Sequence, residues 1–224
     1  VTIFERDSVL GGMMVQGIPV FRLPRETVAE EVKAIIDSGI DVKLNTPVDA
    51  EMMQGIIDEY DSVLVSVGTV HASNLKLPGL PEDGHAVSGL SFMHDYNMGD
   101  IEEGSMKGQN VIIVGGGFTA VDCARSCARA ALRLVGAEGN VTIMYRRTAG
   151  QMAAKYDEIE EMGVENIHIE TLMNPHSARV EDGKLAGVTF QRNSLEDSLS
   201  EGGKPRVHAI EGTEEEFPCD LLIA

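Results

Sequence analysis

A short apolar strand that runs directly into a glycine-rich turn is the feature that most constrains the fold of this chain. Residues 111–114 precede Gly-Gly-Gly-Phe-Thr-Ala, which fits the pattern G-x-G-x-x-A, and an alanine-rich helix is predicted over 118–134. Gly115 permits the tight turn, Gly117 keeps a Cβ away from an approaching pyrophosphate, and Ala120 lets helix and strand pack closely. The positive end of the helix would face the phosphates. The predicted dinucleotide-binding residues are Gly115, Gly116, Gly117, Phe118, Thr119 and Ala120.

The strand after this helix indicates which dinucleotide is bound. Residues 141–145 complete a βαβ unit of the expected length, and Arg146 and Arg147 follow where NAD-specific proteins usually carry Asp or Glu. Two guanidinium groups can grip a 2′-phosphate bidentately. We therefore predict that the unit binds NADP(H) in preference to NAD(H). The alternative is that the two arginines only keep the end of the strand solvated.

The elements around this unit predict an α/β fold with two Rossmann-like units, the first of them incomplete. The expected strands are 1–5, 42–48, 62–67, 110–114, 141–145, 166–170, 184–191, 206–210 and 217–224, and the expected helices are 25–38, 52–59, 89–96 and 118–134. The run 62–67 has the apolar character of a buried parallel strand. A mobile hairpin tip is expected at 193–205 and a linker at 74–85. The predicted domains are 1–84, an NAD(P)-binding domain at 85–219, and a return to the first domain at 220–224.

Composition excludes several classes of function. A net charge of -18 disfavours nucleic acid, whose binding needs clustered Lys and Arg. No apolar run approaches the roughly 18 residues of a membrane span, and the first residues do not form a signal peptide, so we expect a cytoplasmic protein. The three cysteines lack C-x-x-C spacing and the six histidines lack metal-ligand spacing. We therefore expect no metal site, no disulfide framework and no thiol redox mechanism.

Several motifs in order along the chain resemble the glutamate synthase small subunit-like flavoproteins. The glycine-rich turn and the following Met-Tyr-Arg-Arg resemble the NADPH half of that family. Its FAD side is similar to Phe4-Glu5, to the Gly-Gly-Met-Met sequence at 11–14, to the Gly-Ile-Pro sequence at 17–19 and to the Phe-Arg-Leu-Pro sequence at 21–24. The Val-Ser-Val-Gly-Thr sequence at 65–69 resembles the Ala-Thr-Gly turn of the family, and Phe217 to Asp220 resembles its strand leading back to the FAD domain.

The resemblance implies an oxidoreductase that moves a hydride between NADP(H) and FAD. It implies that electrons then pass to iron-sulfur centres outside this chain and to a partner subunit or an iron-sulfur domain. By the same resemblance, Glu5 would bind the adenosine ribose of FAD, Gly12 and Arg22 would lie along the flavin nucleotide, and Val48 and Gly68 would contact it through the backbone. The residues implied on the FAD side are Glu5, Gly12, Arg22, Val48 and Gly68.

The sequence also departs from the family. The glycine-rich turn for FAD, a cysteine-rich iron-sulfur segment and a closing segment for the flavin pocket are not found in it. We therefore expect a fragment of a longer flavoprotein that, taken alone, binds FAD weakly or not at all. A noncatalytic dinucleotide-binding or assembly module is the alternative. An NAD-dependent dehydrogenase acting on a small substrate is a further possibility, which Arg146, Arg147 and the lack of a catalytic constellation disfavour.

Overall fold

A computed structural model describes residues 1–69, 75–81, 86–101, 105–106, 108–132, 139–199 and 203–224. The chain divides into two compact units, unit 1 (Val1–His71) and unit 2 (Ala72–Ala224). None of the helices within the described ranges has the length and apolar content needed to cross a membrane. The predicted domain boundary at 84 falls among residues outside the described ranges and stays a prediction.

Unit 1 contains a two-stranded parallel sheet and three helices. Its elements in chain order are β1 (Thr2–Phe4), α1 (Met13–Gln16), α2 (Arg25–Ile36), β2 (Asp41–Lys43) and α3 (Ala50–Glu59). β1 pairs with β2 in register Ile3 to Val42. The carboxylate of Asp49 caps α3 by accepting the backbone N–H of Met52 at 2.9 Å. The two longer helices lie where the periodicity predicts them.

Two strand predictions in unit 1 are corrected by the structure. β2 ends at Lys43 instead of continuing to Val48, because Asn45 takes a left-handed φ of 52° and turns the chain away. Residues 62–67 form no strand, and Leu64, Val65 and Val67 are 90%, 61% and 78% exposed. An apolar run becomes a buried strand only beside neighbouring strands, and in the described part of unit 1 the sheet consists of β1 and β2.

Unit 2 is built on a five-stranded parallel sheet. Its strands are β3 (Ala86–Val87), β4 (Asn110–Val114), β5 (Asn140–Tyr145), β6 (Ile167–Thr171) and β11 (Leu221–Ile223), and they lie in the order β3-β11-β4-β5-β6. The helices are α4 (Gly89–Met98), α5 (Phe118–Leu132) and α6 (Tyr156–Val164), with a 3₁₀ turn at Ala149–Gln151. Residues 133 and 134 of the predicted helix lie outside the described residues. Residues 220–224, expected to begin a return to the first domain, contain β11 between β3 and β4.

The two faces of the parallel sheet pack against different layers. Val111 and Ile113 face a core shared with the three helices of unit 2, whereas Ile112 between them faces a second core made with antiparallel strands. Those strands are β7 (Met173–Glu181), β8 (Lys184–Leu199), β9 (Pro205–Ala209) and β10 (Glu215–Pro218). The near-continuous apolar character of β4 follows from burial on both faces.

The antiparallel layer differs from its prediction in three ways. β7, which the sequence did not predict, pairs with β8 along most of its length. β8 continues to Leu199 and pairs with β9, so the mobile tip predicted at 193–205 is wrong for residues 193–199 and 205, while 200–202 lie outside the described residues. The single strand predicted at 217–224 is two strands, β10 and β11, in different sheets. Within the predicted linker, Pro78 accepts a backbone hydrogen bond from Ala178 at 2.8 Å.

Candidate dinucleotide-binding site

The turn between β4 and α5 requires glycine at its first position. Gly115 has a φ of 140°, which side-chain-bearing residues rarely adopt, and its N–H donates to the carbonyl of Met144 on β5 at 3.0 Å. Ala120 is buried, and a Cβ at position 115 would lie 3.4 Å from its methyl group. The structure therefore gives Gly115 and Ala120 the turn and packing roles that the pattern predicts.

Gly116 is held to glycine by an aromatic ring that sequence spacing does not reveal. A Cβ at this buried position would lie 2.5 Å from Cε2 and 2.6 Å from Cδ2 of Tyr145, the last residue of β5. The hydroxyl of Tyr145 donates to the carbonyl of Gln151 at 2.9 Å, and Ala153 N–H donates to the carbonyl of Gly116 at 2.9 Å. The turn is thus packed directly onto the segment that follows β5.

The outer part of the turn is open. A Cβ built on Gly117 meets no atom within 4 Å, and Phe118 is 54% exposed. The carbonyl of Gly117 accepts the N–H of Val121 at 3.2 Å, so the first helical turn begins here and presents backbone N–H groups outward. Exposed donors at the positive end of a 15-residue helix, with room for phosphate oxygens, fit a pyrophosphate group.

The sheet places both arginines beside this turn, but the two side chains differ in exposure. β4 and β5 run parallel with Val114 opposite Met144, so the residues after both strands lie at one edge of the sheet. Arg146 is exposed there. Arg147 is only 8% exposed, and its Nε donates to the carbonyl of Pro205 at 3.1 Å. The predicted role of both residues toward a 2′-phosphate stays a prediction, with Arg146 as the accessible member.

Asn193 is a buried residue of this region that the sequence did not single out. Its Nδ2 donates to the carbonyl of Arg146 at 3.1 Å, and its backbone N–H donates to the carbonyl of Leu172 at 2.7 Å. Leu172 N–H in turn donates to the carbonyl of Arg147 at 3.1 Å. Nothing in the local sequence marks Asn193, because it meets the arginine segment only through the long strand β8.

The cysteines are buried and offer no accessible thiolate. Cys123 and Cys127 lie one helical turn apart on α5, and desolvation raises the pKa of both thiols well above the ordinary value. Burial, the first of several causes, also raises the pKa of Cys219 to about 12. A thiolate is the reactive form in disulfide exchange, so these three residues are packing groups in this structure.

One group of potential metal ligands among the described residues was not predicted from the spacing of histidine and cysteine in the sequence. Donor atoms of His94, Asp95 and Asp100 all lie within 4.8 Å of one another at the end of α4. His94 Nδ1 and Asp95 Oδ1 are 3.0 Å apart, and Asp100 is exposed. His94 and Asp95 are neighbours in the sequence, and a local hydrogen bond between their side chains accounts for this arrangement at the surface.

Unit 1 brings some of the FAD-side residues together. Glu5, half-buried at the end of β1, accepts the N–H of Asp7 at 2.9 Å, and Asp7 accepts Gln16 Nε2 at 2.7 Å. Gln16 ends α1, which begins after Gly12, whose φ is 49° and whose added Cβ would meet nothing within 4 Å. Glu5 and Gly12 are therefore linked through one hydrogen-bonded chain.

The other three FAD-side residues lie in loops of unit 1. Arg22 is half-buried in the loop before α2, and Val48 is half-buried in the segment between β2 and α3. Gly68 is exposed with a φ of 68° and open space where a Cβ would stand. The assignment of Arg22, Val48 and Gly68 to one flavin site with Glu5 stays a prediction.

The parallel sheet with its glycine turn at one strand end and an arginine at the next defines unit 2 as a Rossmann-type dinucleotide-binding unit. The chain belongs to the pyridine nucleotide-disulphide oxidoreductase family, whose pattern matches residues 25–224. Despite the family name, the cysteines within this chain are the three buried ones described above.

Relatives with assigned names support the resemblance seen in the motifs. The chain is 34% identical to the NADP(+)-dependent formate dehydrogenase subunit beta of Moorella thermoacetica, over 100% of this chain and 31% of that protein. It is 28% identical to the glutamate synthase (NADPH) small chain of Escherichia coli K12, over 99% of this chain and 47% of that protein. The predicted resemblance to glutamate synthase small chains is confirmed, and the chain spans less than half of these relatives.

Solved structures support the fold class. Mycobacterium tuberculosis FprA in complex with NADPH superposes with a TM-score of 0.79 at 19% identity, over 99% of this chain and 62% of that chain. The crystal structure of T. acidophilum thioredoxin reductase superposes with a TM-score of 0.55 at 13% identity, over 99% of this chain and 67% of that chain. The predicted α/β class with Rossmann-like units is confirmed.

Proposed function

We propose that this chain is the dinucleotide-binding part of an NADPH-dependent flavoprotein oxidoreductase that transfers a hydride between NADP(H) and FAD. One observation carries the proposal. The open turn at Gly117 and the exposed Arg146 follow adjacent parallel strands, as a pyrophosphate and a 2′-phosphate of one nucleotide require. The printed names of the formate dehydrogenase and glutamate synthase relatives, both of which include NADP, support the same choice.

The residues of this chain would contribute binding and orientation. Backbone N–H groups of Gly117, Phe118 and Thr119 would hold the pyrophosphate at the start of α5, and Arg146 would hold the 2′-phosphate. Such fixed contacts lower the entropic cost of bringing the nicotinamide to its reaction partner. Bound FAD would supply the ring that accepts or returns the hydride, so the protein needs no general acid or base for that step.

We extend the proposal to the first unit through Glu5, Gly12, Arg22, Val48 and Gly68. Of these, Glu5 and Gly12 have the best structural support, because a hydrogen-bonded chain joins the end of β1 to α1 and leaves open space at Gly12. A glycine with free space before a helix suits close approach of a nucleotide. The domains proposed for these roles are 1–84 for FAD and 85–219 for NADP(H).

The remaining parts of the proposal concern partners and location. The M. thermoacetica relative is named as a subunit and the E. coli relative as a small chain, so each belongs to a larger assembly. By analogy, electrons from this chain would pass to a partner subunit or an iron-sulfur domain. The net charge of -18 disfavours binding to nucleic acid. We also propose a cytoplasmic location.

Calorimetric titration of the purified protein with NADPH and NADH tests the proposal. Arg146→Ala should weaken NADPH binding about 10-fold or more while leaving NADH within about 2-fold, because only NADPH carries the 2′-phosphate. Arg179→Ala is the matched control. Arg179 is an exposed arginine near the C-terminal end of β7, where it pairs with Glu216. Equal affinity for both nucleotides would contradict the NADPH assignment.

A second measurement separates the enzyme from the noncatalytic alternative. After addition of FAD, NADPH should bleach the flavin absorbance under anaerobic conditions, and Arg146→Ala should slow this at low NADPH concentration. A protein that binds NADPH and FAD but transfers no hydride would favour the noncatalytic dinucleotide-binding module. Failure to bind either pyridine nucleotide would favour an assembly role for the fold.

A further inference from the structure

The second half of β8 and the whole of β9 form a hairpin that extends from the antiparallel layer. We name it the β8–β9 hairpin, residues 193–199 with 205–209. Its register pairs Asn193 with Ala209 and Leu199 with Pro205. Composition alone predicted a mobile tip here, yet backbone pairing reaches the position of Pro205. Such pairing gives the hairpin a defined place relative to the segments it contacts.

Three hydrogen bonds fasten this hairpin to the residues that follow β5. At its base, Asn193 Nδ2 donates to the carbonyl of Arg146 at 3.1 Å. Near its tip, Arg147 Nε donates to the carbonyl of Pro205 at 3.1 Å, and Lys204 Nζ donates to the carbonyl of Gln151 at 3.3 Å. The hairpin therefore lies along the whole segment from Arg146 to Gln151.

These contacts bring a further cation to the segment that begins with the arginine pair. Lys204 is exposed, and the residue beside it, Pro205, is in direct contact with the Arg147 guanidinium. An ammonium group has three N–H donors, and the carbonyl of Gln151 uses one of them. In a chain with a net charge of -18, Lys204 thus adds a cation beside the segment 146–151, which begins with Arg146 and Arg147, and this favours binding of an anion at this edge of the sheet.

We propose that Lys204, carried by the β8–β9 hairpin, is a further specificity-determining residue that binds the 2′-phosphate of NADP(H) together with Arg146. Arg147 acts as a positioning residue, because its buried guanidinium fixes Pro205 and thereby the backbone that carries Lys204. This inference rests on the proposed function, since it assumes that the edge beside Gly117 binds NADP(H). It assigns the choice between NADP(H) and NAD(H) partly to a hairpin outside the βαβ unit.

The simpler account is that Lys204 only caps the carbonyl of Gln151 at the end of the 3₁₀ turn. That role would stabilise the turn equally with either nucleotide. A phosphate-binding role instead predicts an effect confined to ligands that carry the 2′-phosphate, and a weaker dependence of their binding on salt when the cation is removed. The two accounts therefore differ in a measurable quantity.

Titration with two pairs of ligands tests the inference on the purified protein: NADPH against NADH, and 2′,5′-ADP against 5′-AMP. Lys204→Ala should weaken NADPH and 2′,5′-ADP by about 5- to 10-fold and leave the other two within about 2-fold. Lys204→Arg should retain most of the preference. Lys184→Ala, at the exposed lysine that begins β8, should change none of the four affinities.

The outcomes separate this inference from the proposed function. If Arg146→Ala abolishes the preference for NADPH while Lys204→Ala matches the wild type, the inference is overturned and the proposed function stands. If Lys204→Ala weakens all four ligands equally, its role is the structural cap at Gln151 and the inference is likewise overturned. If the wild-type protein does not distinguish NADPH from NADH, the proposed function falls and this inference falls with it.

Discussion

The aromatic ring of Tyr145 occupies the space that a side chain at Gly116 would need. A Cβ at residue 116 would lie 2.5 Å from the ring, closer than non-bonded carbon atoms approach. The ring cannot move away freely, because its hydroxyl donates to the carbonyl of Gln151 at 2.9 Å. The end of β5 and the glycine-rich turn are thus one packed unit, and the conformation of the turn depends on a residue of the next strand.

Gly116→Ala should therefore destabilise the protein. The added methyl group forces the ring of Tyr145 to shift, and overpacking of this kind costs about 1–3 kcal/mol in free energy of unfolding. Chemical denaturation measures the loss. Combining Gly116→Ala with Tyr145→Leu removes the ring and should cost less than the sum of the two single changes. Strict additivity of the two changes would contradict the proposed clash.

Gly117→Ala should have the opposite pattern. Its added Cβ meets open space and the residue does not have a positive φ, so the free energy of unfolding should change by less than about 0.5 kcal/mol. The same methyl group would stand where the pyrophosphate approaches, and NADPH affinity should fall about 10-fold or more. Wild-type affinity in the Gly117→Ala variant would show that the nucleotide does not bind at this turn.

The contrast between these two glycines shows how far the sequence could predict the site. The turn, its helix and its position after a parallel strand follow from local pattern, and all were found. The need for glycine at residue 116 comes from Tyr145, which lies 29 residues later in the sequence. The spacing of residues within the motif contains no information about this contact. Local reasoning predicted the tight turn at Gly115 and the close packing of Ala120, whereas it gave Gly116 only as one of the dinucleotide-binding residues; the binding roles of all three stay predictions.

The arginine pair and the run at 62–67 illustrate the same limit. Arg146 and Arg147 are adjacent in sequence, but burial against Pro205 separates their roles, and that contact exists only because β9 folds back along β8. The apolar run at 62–67 has the composition of a buried strand, yet it stays exposed because pairing depends on strands elsewhere in the chain. In both cases the structure of the segment depends on pairing between strands that are distant in the sequence.

The buried cysteines should be dispensable for nucleotide binding. Desolvation raises the pKa of Cys123 and Cys127, so a thiol reagent at pH 8 should label the native protein slowly and the denatured protein rapidly. The variant Cys123→Ala with Cys127→Ala removes both sulfur atoms from the core and should lose about 1–2 kcal/mol of stability. NADPH affinity should remain within about 2-fold. Rapid labelling of the native protein, or loss of flavin reduction in this variant, would indicate a thiol mechanism instead.

Acid stability should depend on a charged network between α5 and α6. Arg125 Nε and Arg129 Nη2 donate to the carboxylate of Glu165 at 3.0 and 2.9 Å, and Arg125 also pairs with Glu161 at 2.8 Å. Burial alone would raise the pKa of Glu165. The hydrogen bonds and charges of the two arginines outweigh it and hold that pKa below its ordinary value of 4.5.

The direction of this shift fixes the pH range of the effect. Since the pKa of Glu165 is lower in the folded protein, the network stabilises it fully above about pH 4.5 and loses that stabilisation as the pH falls through the folded-state pKa. Glu165→Gln should lower the free energy of unfolding by about 1–3 kcal/mol at pH 7, because Arg125 is buried. Its stability should then decline less than that of the wild type between pH 5 and pH 3, as followed by denaturant titration at each pH. Glu161→Gln is the matched control: its carboxylate is 58% exposed, so it should cost under about 1 kcal/mol. Equal losses in the two variants would mean that the exposed carboxylate of Glu161 anchors Arg125 as strongly as Glu165 does and would contradict this prediction.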